Sequence, residues 1–390
     1  MEHLTAWVKE RLDERNKVSR RFFPQESERL ARACQEMASR FLNGGRLLAF
    51  GRGVYATDAQ HVSVEFVHPV IVGKRALPAL DLSMAFSEWL KTIVRPEDIV
   101  MGFAPPEGDS EVEEALAFAR SKGAQTFALS GKNGDYAVAP PDEDPFIFQE
   151  MIEILYHTLW ETVHVFFEHR ELGREAGEAA FLYPFLGSER QDTSHVVADV
   201  ARSIEEKAKD VERLREKVAA EEAGQIVRAI RTLAEQFDKG GKLIVFGNGG
   251  SATDANDWAL DMMLPPKKLT PYPAVSLSME PAILSALAND VGAEVIFLRQ
   301  LIAQADSHDV VVAISTSGGS KNILMALEEA RKRRLKTIAL LGYDGGEVVR
   351  SGLADIPIVI RSDYIPRIQE AQASVYHIIR EGLEVLNKDA

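Results

Sequence analysis

The chain has 390 residues, enough for two cores of ordinary size, and its 46% apolar and 27% charged residues are those of a soluble globular protein. A formal charge of −14 argues against nucleic acid as the main partner, because phosphate backbones need clustered Lys and Arg; a small phosphate held by backbone N–H groups stays possible. One cysteine, Cys34, excludes an internal disulfide framework. The charged N-terminus lacks an apolar signal core and no apolar run reaches transmembrane length, so the expected compartment is the cytoplasm, with no membrane partner.

In chain order, residues 1–43 read as helix from apolar residues three and four apart (Leu4, Trp7, Val8, Leu12, then Leu30, Ala33, Met37, Phe41), stopped by Gly44-Gly45. Strands are expected at 47–50, 79–82, 99–103 and 126–129. Helices are expected at 54–67, 84–94 and 110–122, and a long one at 146–169. The stretch 172–192 breaks periodicity and reads as a linker, with 181–192 separating a first domain (1–180) from a second (193–390). The second half repeats the plan. A helical region covers 195–239, strands follow at 242–246, 273–277, 309–314, 336–341 and 356–360, and a last helix covers 366–387. Alternating short strands and helices imply an α/β fold. Each half is a parallel sheet flanked by helices, a flavodoxin-like three-layer sandwich with long N-terminal helices.

The halves share a motif. Residues 51–65 read GRGVYATDAQHVSVE and residues 247–261 read GNGGSATDANDWALD. The second copy is a glycine-rich turn between strand and helix, with Asn248, Gly249 and Ser251 in place to meet an anion at a helix N-terminus. A second loop, STSGGS, offers Ser315, Thr316, Ser317 and Ser320 before the next helix. Two hydroxyl-rich loops at the ends of two parallel strands point to phosphate. The plainer alternative is a pair of helices capped by Ser. In the first half, Val54 and Tyr55 add bulk, the prolines of APPEGDS remove donors, and Glu107 repels an anion.

A His/Glu pair, His61 and Glu65, lies on one helix face, and Gln149 and His157 stand eight apart on the last helix of that half. Imidazole, carboxylate and amide oxygen can hold a divalent ion such as zinc, Zn2+. The second half keeps Gln369 and His377 but has Asp257 and Asp261 at the first pair, changes expected to move or remove an ion. Trp7, Trp89, Trp160, Trp258 and Cys34 read as core. The run RKRR at 331–334 reads as a solvated helix end.

The motifs GNGGSATDA, ALAND, ISTSGGSKN, LGYDGGE and RIQE with His377 resemble the sugar-isomerase (SIS) domain family, and within it the branch that converts sedoheptulose 7-phosphate to a heptose 7-phosphate. The first half is similar to a shortened, divergent copy. The resemblance implies two tandem SIS domains and a metal quartet at His61, Glu65, Gln149 and His157, with Asp257, Asp261, Gln369 and His377 as counterparts. It implies phosphate contacts at Ser251, Ser315, Thr316, Ser317 and Ser320, and a substrate-side pair at Asn289 and Asp290. Pro366 stands where the family has Asp. It further implies assembly from four SIS units, hence a homodimer of this chain. The expected function is aldose–ketose isomerisation of a sugar phosphate through an enediolate, with Glu65 as base and His157 as acid at a site composed from both halves. A second version uses Asp261 and His377 within the second half. The alternative class is a non-catalytic phosphosugar sensor or assembly scaffold.

Overall fold

The computed structural model describes residues 2–69, 74–171, 193–266 and 269–389. The first sheet contains β1 (Leu47–Gly51), β2 (Ala79–Asp81), β3 (Ile99–Phe103), β4 (Gln125–Leu129) and β5 (Tyr136–Ala137), all parallel, in the order β2-β1-β3-β4-β5. The second contains β6 (Leu243–Gly247), β7 (Ala274–Ser276), β8 (Val310–Ser315), β9 (Lys336–Gly342) and β10 (Ile356–Ile360), also parallel, in the order β10-β9-β8-β6-β7. Counted within each half, both orders are 2-1-3-4-5, the flavodoxin-like arrangement. The order reverses between β1 and β3, and again between β6 and β8. In such sheets ligands bind outside the carboxyl ends at that point.

The helices of the first half are α1 (Glu2–Leu42), α2 (Ala56–Val67), α3 (Phe86–Ile93), α4 (Ser110–Ser121) and α5 (Pro145–Glu171). Those that follow are α6 (Thr193–Glu221), α7 (Ala223–Phe237), α8 (Gly250–Met263), α9 (Pro281–Asp290), α10 (Ile296–Gln304), α11 (Lys321–Lys332), α12 (Gly346–Arg350) and α13 (Ile365–Asp389). The linker expected at 181–192, with its FLYPFL core, lies outside the described residues. By contacts, the compact units are Lys17–Asp210 around the first sheet, and Met1–Asn16 with Val211–Ala390 around the second. The two long helices α1 and α6 therefore each divide between units, which periodicity along a single helix cannot reveal.

Strand alternation builds the layers. In β6, Leu243 and Val245 join a cluster with Ile230, Trp258 and Ile379, while Ile244 and Phe246 join Phe297, Ile323 and Leu327 on the other face. In the first sheet Leu48, Phe50 and Val100 pack on Leu90, Val112 and Leu116. Cys34, Trp160 and Trp258 are buried as expected, and Trp7 packs against the core. Trp89 is 51% exposed, because the apolar stripe of the short helix α3 turns Phe86 and Leu90 inward instead. Arg331 to Arg334 are exposed at the end of α11.

Two departures from the expected elements have local causes. The helical region expected over 195–239 is two helices, α6 and α7, that meet at Glu222, two residues before Gly224; the Glu222 carboxylate accepts a bond from Arg361 at 3.1 Å. Strand β5 is two residues long in a turn-rich segment and has no periodicity to read. It is held by Thr126 N donating to Asp135 at 2.9 Å, and the same bond recurs as Thr337 N to Asp355 at 2.9 Å beside β10.

At the start of the third strand of each sheet a buried Asp ties the chain together. Asp98 accepts from Arg46 N at 3.0 Å, and Asp309 accepts from Lys242 N at 2.9 Å, Lys242 Nζ at 2.6 Å and Asp306 N at 2.8 Å. Asp309→Ala strands those backbone donors and should lower stability by about 2–3 kcal/mol in urea unfolding. A loss under ~0.5 kcal/mol would show that the bonds matter little.

Candidate functional site

The loops after β6 and β8 are shaped by close backbone approach. A Cβ on Gly247 would lie 2.3 Å from Ser251 O, so α8 can start this near the strand only from glycine. Gly249 follows at φ +58, in the left-handed region. Ser278 Oγ accepts from Gly247 N at 3.2 Å and donates to Gly247 O at 3.0 Å, pinning the strand end. After β8, Gly318 sits at φ +59, and a Cβ there would lie 2.2 Å from Gly345 O. Ser315 Oγ accepts from Gly318 N at 3.1 Å and Ser317 Oγ from Gly319 N at 3.3 Å. The side-chain amides of Asn248 and Asn322 bond reciprocally at 3.1 and 2.9 Å, joining the two loops.

The alternative of plain Ser-capped helices does not describe these loops. The N-cap of α8 is Gly249, and Ser320 at the N-cap of α11 makes no side-chain capping bond. Beside them a cavity of about 740 Å³ is lined by Ser317, Tyr343, Asp344, Gly346, Arg350 and Arg361. Its two arginines had no motif to mark them in the sequence. Asn289 and Asp290 lie at the exposed end of α9, where Asn289 Nδ2 donates to Asp290 at 2.7 Å. Among the described residues no hydrogen bond ties that pair to either loop.

The first half keeps the loop backbone but not its chemistry. Gly53 repeats φ +58, and Ser83 Oγ accepts from Gly51 N at 3.1 Å. Arg52 is held by Asp109 at 3.2 Å and Glu111 at 2.9 Å, so the added cation is already neutralised.

The four residues expected as a metal quartet in the first half sit on α2 and α5, all buried. The ring nitrogens His61 Nε2 and His157 Nε2 are 3.2 Å apart, and His61 Nε2 lies 3.9 Å from Glu65 Oε1. One donor atom from each of His61, Glu65 and His157 falls within 4.8 Å of the others. Gln149 donates its amide N–H to Asp58 at 3.0 Å, one turn before His61.

The second half, where the substitutions are expected to move or remove an ion, also assembles a cluster of three donors. Asp257, Asp261 and His377 bring one donor atom each within 4.8 Å. His377 Nε2 lies 3.4 Å from Asp257 Oδ2 and 3.3 Å from Asp261 Oδ2. The Oε1 of Gln369, two turns earlier on α13, is buried with no hydrogen-bond partner among the described residues. Buried carboxylate, imidazole and amide oxygens are the donors a divalent ion takes, so both clusters fit one. Tyr376 adds a contact the spacing did not single out: its OH donates to Asp257 Oδ2 at 2.7 Å, and its ring stacks on Trp258 at 5.6 Å. The Tyr-His pair common to both last helices was the available signal.

Residues 208–342 match the SIS domain family. The chain is 42% identical over 160 residues to the phosphoheptose isomerase of Citrifermentans bemidjiense, covering 41% of this chain and 82% of that protein. The chain belongs to the SIS-domain family of isomerases. The phosphoheptose isomerase of Pelobacter propionicus is 44% identical over 153 residues, covering 39% of this chain and 80% of that protein. Across both halves the fold matches the C-terminal domain of glucosamine-fructose-6-phosphate aminotransferase from Francisella tularensis, with TM-score 0.54, 10% identity, and 97% and 96% of the two chains covered. Kinship to isomerases sets aside the sensor or scaffold alternative.

Burial, and then the neighbouring Asp257, push the Asp261 carboxyl up to about 7. An acid raised by folding binds more protons folded than unfolded. Its contribution is therefore most favourable below pH 3.8 and is lost as pH rises toward 7. In chelated protein, the melting temperature of Asp261→Asn minus that of the parent should grow from pH 4 to pH 8. A difference that stays flat across that range would refute the shift.

Proposed function

We infer that the chain interconverts an aldose and a ketose phosphate, with sedoheptulose 7-phosphate and a heptose 7-phosphate as the substrate pair. The observation that carries this is the path of α8. It begins in the glycine loop, with Ser251 in its first turn, and carries Asp257 and Asp261 to face His377. One helix thus joins a place to hold a phosphate to a place to move a proton. Ser251, Thr316, Ser317 and Ser320 with the loop N–H groups hold the phosphate, turning remote binding energy into positioning.

Asp261 takes the proton from the carbon beside the carbonyl, and His377 returns one to oxygen. A carboxyl near neutrality is suited to that task. Asp257, Asp261, Gln369 and His377 would hold a divalent ion here, and His61, Glu65, Gln149 and His157 one in the first half, where the two imidazoles favour zinc. When bound, such an ion supplies polarisation of the sugar's carbonyl and hydroxyl oxygens.

The buried cluster of His61, Glu65 and His157 favours a second reading, in which Glu65 is the base and His157 the acid. Separate Glu65→Gln and Asp261→Asn variants decide. Loss of turnover by about 100-fold or more in Asp261→Asn with activity kept in Glu65→Gln supports the first assignment, and the reverse pattern overturns it. If neither variant changes turnover, both assignments fail. Ser320→Ala should raise KM for the sugar phosphate about tenfold with kcat little changed, and an unchanged KM would remove Ser320 from the phosphate site.

The chain is proposed to work as a homodimer of four SIS units in the cytoplasm. Supporting this, α9 buries none of its residues and leaves Ile283 40% and its neighbour Val291 57% exposed. A solution mass of one chain would contradict it.

A further inference from the structure

We propose that the two clusters are built for different ions: the first half for a nitrogen-preferring ion of the zinc type, the second for a harder, oxygen-preferring ion of the manganese(II) type. The inference rests on reading both clusters as ion sites, and deepens it by assigning each a preference.

The donor sets differ in their imidazole count, two in the first half and one in the second. Around His61 and His157, two imidazole nitrogens stand 3.2 Å apart with the Glu65 carboxylate; Glu153 also brings an oxygen within 4.8 Å of His61, and Gln149 stands two turns before His157. Around His377, one imidazole faces two carboxylates, with the amide oxygen of Gln369 two turns before it on the same helix. Imidazole suits zinc, whereas carboxylate and amide oxygen suit magnesium and manganese. Replacing one nitrogen by an oxygen narrows the margin by which zinc outcompetes manganese, although zinc stays the tighter binder at either site.

Charge supports the presence of an ion at the second site. Asp257 and Asp261 are 3% and 1% exposed. Two carboxylates at that depth beside a single imidazole call for a compensating cation. The Arg380 guanidinium eases that charge from a distance, while its hydrogen bonds among the described residues go to other atoms. Arg380 donates to the backbone oxygens of Asp261 at 3.1 Å and Thr270 at 2.7 Å, and to Glu384 at 2.9 Å. The hydroxyl of Tyr376 fixes Asp257 Oδ2 at 2.7 Å, holding one oxygen donor in place as outer partners of ion ligands do.

The test uses the full chain, stripped by chelation and titrated with Mn2+ while the signal of free Mn2+ is followed by electron paramagnetic resonance. One Mn2+ per chain should bind. Prior addition of one equivalent of Zn2+ should leave that site open, because zinc enters the first half first. Asp257→Asn should weaken Mn2+ binding about tenfold or more, while His61→Ala leaves it unchanged. Asp257→His, which rebuilds the first-half donor set, should make Mn2+ binding vulnerable to Zn2+.

The proposal is overturned if no Mn2+ binds, if one equivalent of Zn2+ closes the Mn2+ site, or if His61→Ala removes it as fully as Asp257→Asn does. Circular dichroism of each variant separates lost ligands from lost fold. Because binding rather than turnover is read, failure here leaves the isomerase assignment standing, and failure of that assignment leaves this result intact.

Discussion

The approach of helix α8 to the end of β6 is the constraint from which the second half follows. Gly247 has no room for a Cβ against Ser251 O, so the chain turns from strand to helix within a few residues. That short turn aims the N–H groups of α8 at the space outside the sheet, and it sets the rotation of the helix about its own axis. The rotation brings Asp257 and Asp261, four residues apart, onto the face that meets His377 of α13. A longer or looser connection would leave the anion-binding end and the carboxylates unrelated in orientation.

The same backbone device stands in the first half, where Gly51 and Gly53 match Gly247 and Gly249. There the loop side chains have gone another way. Arg52 is engaged by Asp109 and Glu111, and Pro105 and Pro106 stand where the other loop has donors. The two halves thus share strand order, strand-end serines and buried aspartates, yet differ where a ligand would touch them. Fold and site chemistry are separable in this chain because the first depends on backbone packing and the second on a few exposed or converging side chains.

Much of this was legible beforehand. The strands at 99–103 and 356–360 and the limits of α1 and α13 follow from apolar runs and glycine stops, since local pattern decides them. Spacing placed His61 with Glu65 on one helix face and Gln149 with His157 on another, and the family resemblance implied their meeting; the structure brings His61, Glu65 and His157 together. The misreadings came where a distant residue decides. Glu222 interrupts a helix in company with Arg361, and β5 exists because β4 offers it an edge. Trp89 faces outward since α3 turns Phe86 and Leu90 to the core instead.

The shortened side chain at position 261 shows the division most clearly. From residues alone, loss of a methylene and of an imidazole meant a displaced or missing ion, because side-chain reach was measured from an assumed backbone. What sequence determined was the identity and order of the donors, the glycines that allow tight turns, and the alternation that makes two parallel sheets. Only the tertiary structure decided that α8 and α13 pass close enough for Asp257 and Asp261 to reach His377, and that Tyr376 holds one of them. The reason is physical: donor type is a property of a residue, whereas convergence is a property of how two helices pack against a common sheet.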